Sequence, residues 1–386
     1  MSGRWGRRPD TPFAAGNPQM TQQQDEVQVR ALRRGEEPAL FAFLAQAYET
    51  APDEIDPVYW RWQYARNPLL PPNQYLTRVC WNGDRIVGQF GLMPFHLVVG
   101  TERYPAAWGV DLIVHPDARG KGIGSKLVRS FLAMDRMHIS IGFTNTARHL
   151  FDRAGFTQLP GVGRFAYLHR PDPVVHRLSR LPVARPLLRI AGGAAVAAHH
   201  LFIRKHTLRG VTFDPMSRFD PEVDELFSRD ATGTLVVAER TSQFLNWRFS
   251  DSPGGTYRIL AARRDHQLVG YAVWRESRPG RYLIADVWAQ GLRQDIFRAL
   301  IAELVSRNQL QPDCQVTECY ATHHTLVRAL VSCGFLRYRG VNMVVFPTTS
   351  GGDIGVFEQS RNWYVTALDS DIDPIFRSGP IPSTCG

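Results

Sequence analysis

The stretch Val114-His-Pro-Asp-Ala-Arg-Gly-Lys-Gly-Ile-Gly124 stands between a segment that alternates like a β-strand and one with the apolar spacing of an α-helix. Its three glycines let the backbone approach a ligand with no Cβ in the way. The free N–H groups at the start of the helix point toward an anion there, and Arg119 and Lys121 add positive charge beside them. The stretch therefore predicts a cradle for a pyrophosphate group.

Two other phosphate loops are excluded by the spacing. A Walker A loop needs Gly-x-x-x-x-Gly-Lys followed by Ser or Thr, and this spacing is missing. The dinucleotide fingerprint needs Gly-x-Gly-x-x-Gly and an acidic residue for the ribose, whereas here the glycines run Gly-x-Gly-x-Gly without that acid. Taken alone, the stretch is equally consistent with a tight turn that binds nothing.

Around this stretch, hydrophobic patterning predicts a mixed α/β unit in the order β-α-α-β-β-β-α-β-α. Asn82-Gly83-Asp84 between two alternating runs indicates a hairpin, and Gly155 ends the last helix. The predicted strands are Val27–Leu32, Tyr75–Trp81, Arg85–Val99, Tyr104–Val114 and Ile139–Phe143. The predicted helices are Glu36–Tyr48, Pro57–Tyr64, Gly124–Asp135 and Thr146–Ala154.

A weaker copy of this pattern follows in the second half of the chain. Three stretches match in the same order: Phe244–Phe249 with Tyr59–Tyr64, Tyr257–Gly270 with Tyr75–Gly88, and Leu326–Phe335 with Arg148–Phe156. The matches favour a duplicated fold, with chance similarity among β-hairpins as the alternative. We therefore predict a disordered tail over 1–24, a first domain over 25–165, a basic Pro/Arg-rich linker with a helix over 166–210, and a second domain over 211–386.

Downstream of the loop comes Asn145-Thr-Ala-Arg-His-Leu-Phe-Asp-Arg-Ala-Gly-Phe156. Together with the loop, it makes residues 27–165 resemble the GCN5-related N-acetyltransferase (GNAT) superfamily. The resemblance implies a mixed α/β fold, with acyl-CoA as co-substrate and no metal. The second half resembles a degenerate copy of the same fold. Its corresponding stretch, Trp288–Phe297, has one glycine, so we expect no acyl-CoA there.

The resemblance also implies roles for individual residues. The pantetheine arm inserts where the strand before the loop splays from the next strand, against the backbone of Ile113 and Val114 and beside Asn145. The amine attacks the thioester directly, so catalysis rests on positioning, on removal of a proton from the ammonium and on polarisation of the carbonyl. The pyrophosphate is bound by the backbone amides of Arg119, Gly120, Lys121, Gly122, Ile123 and Gly124.

One position departs from the family pattern. Where the family often has a tyrosine that protonates the leaving thiolate, this chain has Phe151, which we group with the acyl-CoA-binding residues. Either the thiolate leaves without an acid, or another residue such as His149 serves. A solvated helix position is the alternative interpretation of His149.

For the catalytic base, Asp111 is the candidate. It is a charged residue within an otherwise apolar strand that reads Trp108-Gly-Val-Asp-Leu-Ile-Val114. Alternation with the apolar side chains puts it on the opposite face, toward the expected substrate cleft. A structural carboxylate at the sheet edge is the alternative.

Two groups of residues are candidates for the acceptor side. Trp60, Arg61 and Trp62 either wall an acceptor pocket or, for the aromatic rings, pack in the core. Asp369, Asp371 and Asp373 either contact a cationic acceptor or a metal, or form a solvated acidic turn.

The sequence thus predicts an acyl-CoA-dependent N-acyltransferase, with acetyl-CoA as donor and a primary amine as acceptor. The aromatic start and the Asn-Trp-Tyr…Asp-Ser-Asp end resemble bacterial acetyltransferases associated with surface polysaccharides, which suggests an amino sugar or a nucleotide-linked sugar. The alternatives are transfer to a peptide or protein amine and a regulator that binds acyl-CoA without turnover.

The net charge of +9 in 386 residues first suggests nucleic acid or a membrane surface as a partner. Nine basic residues and one acidic residue, Asp172, lie within 164–210, so the excess is local and a general nucleic-acid surface is not expected. This segment either lines the acceptor cleft, rests on an anionic membrane surface, or is a solvated linker. Five scattered cysteines and the lack of a long apolar run predict a cytoplasmic protein.

Overall fold

The computed structural model describes residues 27–51, 55–71, 73–171, 193–194, 198, 208–347, 355–371 and 373. The predicted tail over 1–24 and nearly all of the predicted linker helix lie outside the described residues. No helix within the described ranges is long and apolar enough to cross a membrane.

The first half follows the predicted order of elements. Asp56 accepts hydrogen bonds from the amides of Val58 and Tyr59, which starts the aromatic helix, and Gly83 turns the first hairpin at a φ of 60°. The strands are β1 (Gln28–Ala31), β2 (Arg78–Asn82), β3 (Arg85–Val99), β4 (Glu102–Val114), β5 (Met137–Ile141) and β6 (Thr157–Leu168). The helices are α1 (Glu37–Tyr48), α2 (Pro57–Ala65), α3 (Ile123–Leu132) and α4 (Asn145–Arg153).

β5 begins two residues earlier than its apolar run predicts. Met137 and His138 pair with Ala106 and Ala107 of β4, and His138 is fully buried against the ring of Phe131. Strand pairing and aromatic packing therefore extend β5 through a polar residue at which the hydrophobic pattern stops.

The second half repeats this succession of strands and helices and adds three short strands and one short helix. Its strands are β7 (Val211–Met216), β8 (Val236–Ala238), β9 (Arg258–Arg264), β10 (Gln267–Arg278), β11 (Arg281–Ala289), β12 (Val316–Ala321), β13 (Leu336–Arg337), β14 (Val341–Phe346) and β15 (Trp363–Tyr364). Its helices are α5 (Glu222–Asp230), α6 (Ser242–Leu245), α7 (Gln294–Gln309), α8 (His324–Ser332) and α9 (Gly355–Glu358).

The two halves share one mixed sheet, whose order is β1-β2-β3-β4-β5-β14-β6-β12-β11-β10-β9-β7. β14, from the second half, lies between β5 and β6 of the first half and is antiparallel to both. The later part of β6, from the first half, lies between β12 and β13 of the second half. Each half therefore supplies the strand that completes the sheet of the other. The predicted α/β class and the duplication of the fold are confirmed.

A tryptophan pair joins the two aromatic helical segments that the sequence matched. The rings of Trp62 and Trp247 stack with centroids 5.1 Å apart, and both side chains are buried. The indole N–H of Trp62 donates to the carbonyl of Trp247 at 2.8 Å, and that of Trp247 donates to the carbonyl of Trp62 at 3.2 Å. The reciprocal bonds are what a pseudo-two-fold relation between equivalent residues produces.

We predict that Trp62→Ala and Trp247→Ala each lower the free energy of unfolding by about 3–5 kcal/mol, because each removes a large buried ring. The loss in the double variant is expected to fall short of the sum by about 1 kcal/mol or more, since the two rings contact each other. Urea unfolding of the four proteins measures this. Strictly additive losses would show that the pair does not couple the halves.

Candidate acyl-CoA site

The glycine stretch forms an open turn between β4 and α3. Gly120 and Gly122 both have a φ of 77°, a left-handed conformation that favours glycine, and nothing lies within 4 Å of where a Cβ would stand on either. Gly122 caps α3 with no side-chain hydrogen bond, so the first amides of the helix face the open side of the turn. This geometry suits an anion that binds to backbone N–H groups.

The third glycine serves packing instead. A Cβ on Gly124 would stand 2.8 Å from Leu150 of α4, so the absent side chain lets α3 and α4 approach closely. Arg119 and Lys121 are exposed, and the Nε of Arg119 donates to the carbonyl of Val114 at 3.3 Å. Ile123, by contrast, is buried and anchors the start of α3.

β4 and β5 separate next to this turn. Their pairing covers Ala106 to Trp108 and ends at the Trp108–Ile139 pair, while β4 continues beside β3 to Val114. Ile113 and Val114 are half-buried along the separated part. The two strands therefore open a cleft whose edge is the backbone of β4, at the end nearest the glycine turn.

The second half holds the far edge of this cleft. Asn342 of β14 accepts from the amide of Phe143 at 2.9 Å and donates to its carbonyl at 3.0 Å. The carbonyl of Asn342 also accepts from the amide of Gly142 at 2.9 Å. These bonds fix the turn that leads into α4, so the strand exchange positions one wall of the site.

Asp111 lies on a β-bulge of β4. The register of β4 against β3 shifts between the Gln89–Ile113 and Gly91–Val110 pairs, and Asp111 has a φ of 50°. Its half-buried carboxylate accepts from the hydroxyl of Tyr64 at 2.7 Å and from that of Tyr48 at 3.3 Å. The bulge thus aims the carboxylate at two phenols from α1 and α2.

Tyr64 reaches Asp111 across a glycine. A Cβ on Gly91 would stand 2.5 Å from the Tyr64 hydroxyl, so only glycine leaves room for the phenol. Burial raises the pKa of Tyr64 well above its usual value, and the nearby charge of Asp111 raises it further. Tyr64 therefore stays protonated and donates. The sequence did not identify Tyr48 or Tyr64 as site residues, although Tyr64 is the last residue of the aromatic stretch Tyr59–Tyr64.

On α4, the predicted residues take two different environments. Asn145 and His149 are exposed. Phe151 is 1% exposed and packs in the core against Phe143 and Phe156, with ring centroids 5.1 Å and 4.9 Å away. The position at which the family often carries a tyrosine is thus an apolar core position in this chain.

The aromatic helix places its tryptophans in packing contacts. Trp60 is 5% exposed and lies among Phe41, Tyr64 and Tyr75, and Trp62 stacks on Trp247. Arg61 is exposed. Among the residues of this helix, it is Tyr64 that hydrogen-bonds to Asp111.

The three C-terminal aspartates are also in distinct environments. Asp369 is buried, 3.2 Å from the guanidinium of Arg240, and Asp373 is buried, 2.6 Å from that of Arg275. Asp371 is exposed. Within the part of the chain that the structure describes, no group of His, Cys, Asp or Glu is arranged to hold a metal ion.

The second half carries a counterpart of Asp111 that is closed off. On β11, Asp286 lies three residues before Ala289, which pairs with Gly270 of β10. On β4, Asp111 lies three residues before Val114, which pairs with Gly88 of β3. Asp286 is fully buried and accepts from Tyr271 at 2.7 Å, from Thr366 at 2.8 Å and from Arg240 at 3.3 Å. The carboxylate of Asp286 is therefore occupied by hydrogen bonds within the protein.

The equivalent cleft is filled as well. The pairing of β11 with β12 ends at Ile284–Cys319, and Tyr364 packs beyond this point against Trp288 and Phe297. The hydroxyl of Thr322, just after β12, donates to the carbonyl of Trp363 at 2.6 Å and accepts from the amide of Val365 at 2.9 Å. Residues 363–365 thus occupy the place where the first half has its open cleft.

Comparison with known proteins agrees with this geometry. Residues 28–158 match a family model described as an acetyltransferase (GNAT) domain. No curated protein is significantly similar to the chain in sequence.

Solved structures share the fold across most of the chain. A GCN5-related N-acetyltransferase from Anabaena variabilis superposes with a TM-score of 0.57 at 11% identity, over 83% of this chain and 72% of that one. A probable N-acyltransferase from Enterococcus faecalis gives 0.55 at 13%, over 83% and 71%. A GCN5-related N-acetyltransferase from Kribbella flavida gives 0.54 at 14%, over 83% and 71%.

At such low identity these structures establish the fold, and the family match identifies the half that contains the open glycine turn and Asp111. Residues 28–158 of the chain are therefore similar to a GNAT acetyltransferase domain.

Proposed function

We propose that this chain is an N-acyltransferase that takes acetyl-CoA as its donor and passes the acetyl group to a primary amine by direct attack. The observation that carries the proposal is Asp111, held by two tyrosines on a bulge of β4, at the strand that leads into an open anion-binding turn. A candidate base on β4 and a turn suited to an anion directly after β4 together support the proposal.

The residues present fit an acyl-CoA. The amides that follow Gly122, together with Arg119 and Lys121, would bind the pyrophosphate. The backbone of Ile113 and Val114 borders the cleft in which a pantetheine arm would lie, with Asn145 at its other side. Gly120, Ile123 and Gly124 shape the turn through the conformation, anchoring and close packing described above.

Asp111 would accept the proton that the acceptor ammonium must lose before its nitrogen attacks the thioester carbonyl. The C–N bond then forms as the C–S bond breaks, CoA leaves as its thiolate, and the nitrogen gives up its second proton to the thiolate or to solvent, which leaves the neutral amide. Tyr64 and Tyr48 orient the carboxylate, and Tyr64 keeps its own proton because its pKa is raised by burial. Most of the rate would come from positioning in a cleft with fixed walls.

No hydroxyl stands at Phe151, so the thiolate would leave without an acid from that position. His149, exposed two residues earlier on α4, is the candidate for later protonation. We propose amino sugars and nucleotide-linked sugars as acceptors, with a peptide amine as the alternative.

We predict that Asp111→Asn lowers kcat at least about 100-fold, because a general base contributes that much or more. Acetyl-CoA affinity should stay within about twofold of wild type, since the pyrophosphate turn is untouched. Thiol release against an amine panel measures the first quantity and calorimetry the second. Asp117→Asn, an exposed carboxylate near the turn, is the matched control. Full activity of Asp111→Asn would exclude Asp111 as the base.

Tyr64→Phe should lower kcat less, by about tenfold, because it removes one hydrogen bond to the base and leaves the carboxylate in place. The ring and its packing remain, so the unfolding free energy should change by about 1 kcal/mol at most. A loss of folding rather than of kcat would show that the contact with Asp111 is structural.

Gly122→Ala tests the turn. The substitution meets no neighbour, yet it strains a φ of 77° and should shift the backbone amides, so we expect the Kd for acetyl-CoA to rise about tenfold. Gly83→Ala, at a φ of 60° in the open turn of the β2–β3 hairpin, is the control and should leave the Kd unchanged. Equal Kd values in all three proteins would exclude a role for the turn, and tight binding with no thiol release would favour a regulator.

A further inference from the structure

Three consecutive residues of α2 are buried: Trp62, Gln63 and Tyr64 are each 2% exposed. Neighbouring side chains of an α-helix point about 100° apart, so this end of α2 is enclosed on several sides. Trp62 faces the second half of the chain, where it stacks on Trp247, and Tyr64 faces Asp111 of β4. Between them lies Gln63, whose buried amide has no role in the mechanism described above.

The amide nitrogen of Gln63 contacts two acceptors. Its Nε2 lies 3.0 Å from the hydroxyl oxygen of Tyr64 and 3.2 Å from the sulfur of Met93 on β3. A thioether sulfur accepts weakly and donates nothing, so it favours the NH2 group of the amide over the amide oxygen. The NH2 group has two protons, and both contacts are therefore hydrogen bonds that Gln63 donates.

The hydroxyl of Tyr64 then has a single arrangement of bonds open to it. It carries one proton, which it donates to Asp111 at 2.7 Å, because an ionised carboxylate only accepts. Burial raises the pKa of Tyr64 well above its usual value, so this proton stays on the phenol. Toward Gln63 the hydroxyl oxygen can only accept. The hydrogen bonds thus run in one direction, from Gln63 through Tyr64 to Asp111.

We propose that Gln63 is a positioning residue of the transferase, which acts through the Tyr64 hydroxyl to fix the Asp111 carboxylate that takes the proton from the acceptor ammonium. The inference rests on the proposed function and deepens it. At 2% exposure Gln63 is too deeply buried to touch an acceptor, so its influence passes through Tyr64. Hydrogen bonds in a chain polarise one another, so the amide also makes Tyr64 a stronger donor to the base.

A kinetic double-mutant cycle tests this route. Gln63→Met keeps the length and approximate volume of the side chain but has no N–H to donate. Thiol release is measured on the full chain with saturating acetyl-CoA and with glucosamine, glycinamide or spermidine as the amine. Gln63→Met should lower kcat about fivefold and leave the KM for the amine within about twofold, because an orienting hydrogen bond is lost while no acceptor contact changes.

The same substitution in a Tyr64→Phe background should change kcat by less than about 1.5-fold, since no hydroxyl is left to receive the amide. Gln46→Met is the matched control, because Gln46 is an exposed glutamine on α1, and it should leave kcat and KM unchanged. Urea unfolding and the calorimetric Kd for acetyl-CoA show that each variant is folded and binds the donor. If Gln63→Met does not fold, Gln63→Leu takes its place in the same cycle.

A loss of kcat that is equally large with and without the Tyr64 hydroxyl would overturn the proposal, because an effect on packing does not need that hydroxyl. An unchanged kcat in Gln63→Met or in Tyr64→Phe would overturn it as well. In each of these cases the wild type still transfers the acetyl group, so the transferase function stands. If the wild-type chain binds acetyl-CoA but releases no thiol with any of the three amines, the proposed function fails, and the role of Gln63 fails with it.

Discussion

β14 lies between β5 and β6, and the candidate site depends on this one insertion. Without a strand in that slot, the backbone N–H and C=O groups of β5 and β6 would have no sheet partner, which is costly in a buried sheet. The strand also brings Asn342 to the turn at Phe143, which fixes one wall of the cleft. The cleft beside the glycine turn of the first half is thus built on a strand from the second.

The second copy keeps the fold while its own cleft is closed. Asp286 lies at the position equivalent to Asp111, yet it is fully buried with Arg240, and Tyr364 packs in the space beside β11 that corresponds to the open cleft. Although burial alone lowers the pKa of Arg240, the charges of Asp286 and Asp369 raise it, so the arginine stays charged. Burial raises the pKa of Asp369 to about 6. Removal of one charged side chain from this buried cluster would destabilise the protein, because an unpaired buried charge would remain.

Much of the fold follows from patterns within short stretches. The order of elements in the first half, the glycine turn and the duplication were all predicted, because alternation, helical spacing and turn residues are local properties. Asp111 shows the limit. Strand alternation pointed it toward the cleft, but its direction is set by a bulge with a φ of 50°, which no local pattern revealed. The role of Trp60 and Trp62 could not be predicted either, because the sequence of an aromatic helix is the same whether its rings pack in the core or bind a ligand.

By itself, then, the sequence determined the turn at Gly120 and Gly122, the strand before it, and the similarity of residues 28–158 to a GNAT domain. Only the tertiary structure decided the surroundings of Asp111 and of the cleft, because their contacts join residues far apart in the chain. Tyr48 and Tyr64 meet Asp111 across 63 and 47 positions, and Asn342 meets Phe143 across 199. Such contacts follow from how strands are shared between the halves, and periodicity within a segment carries no information about that sharing.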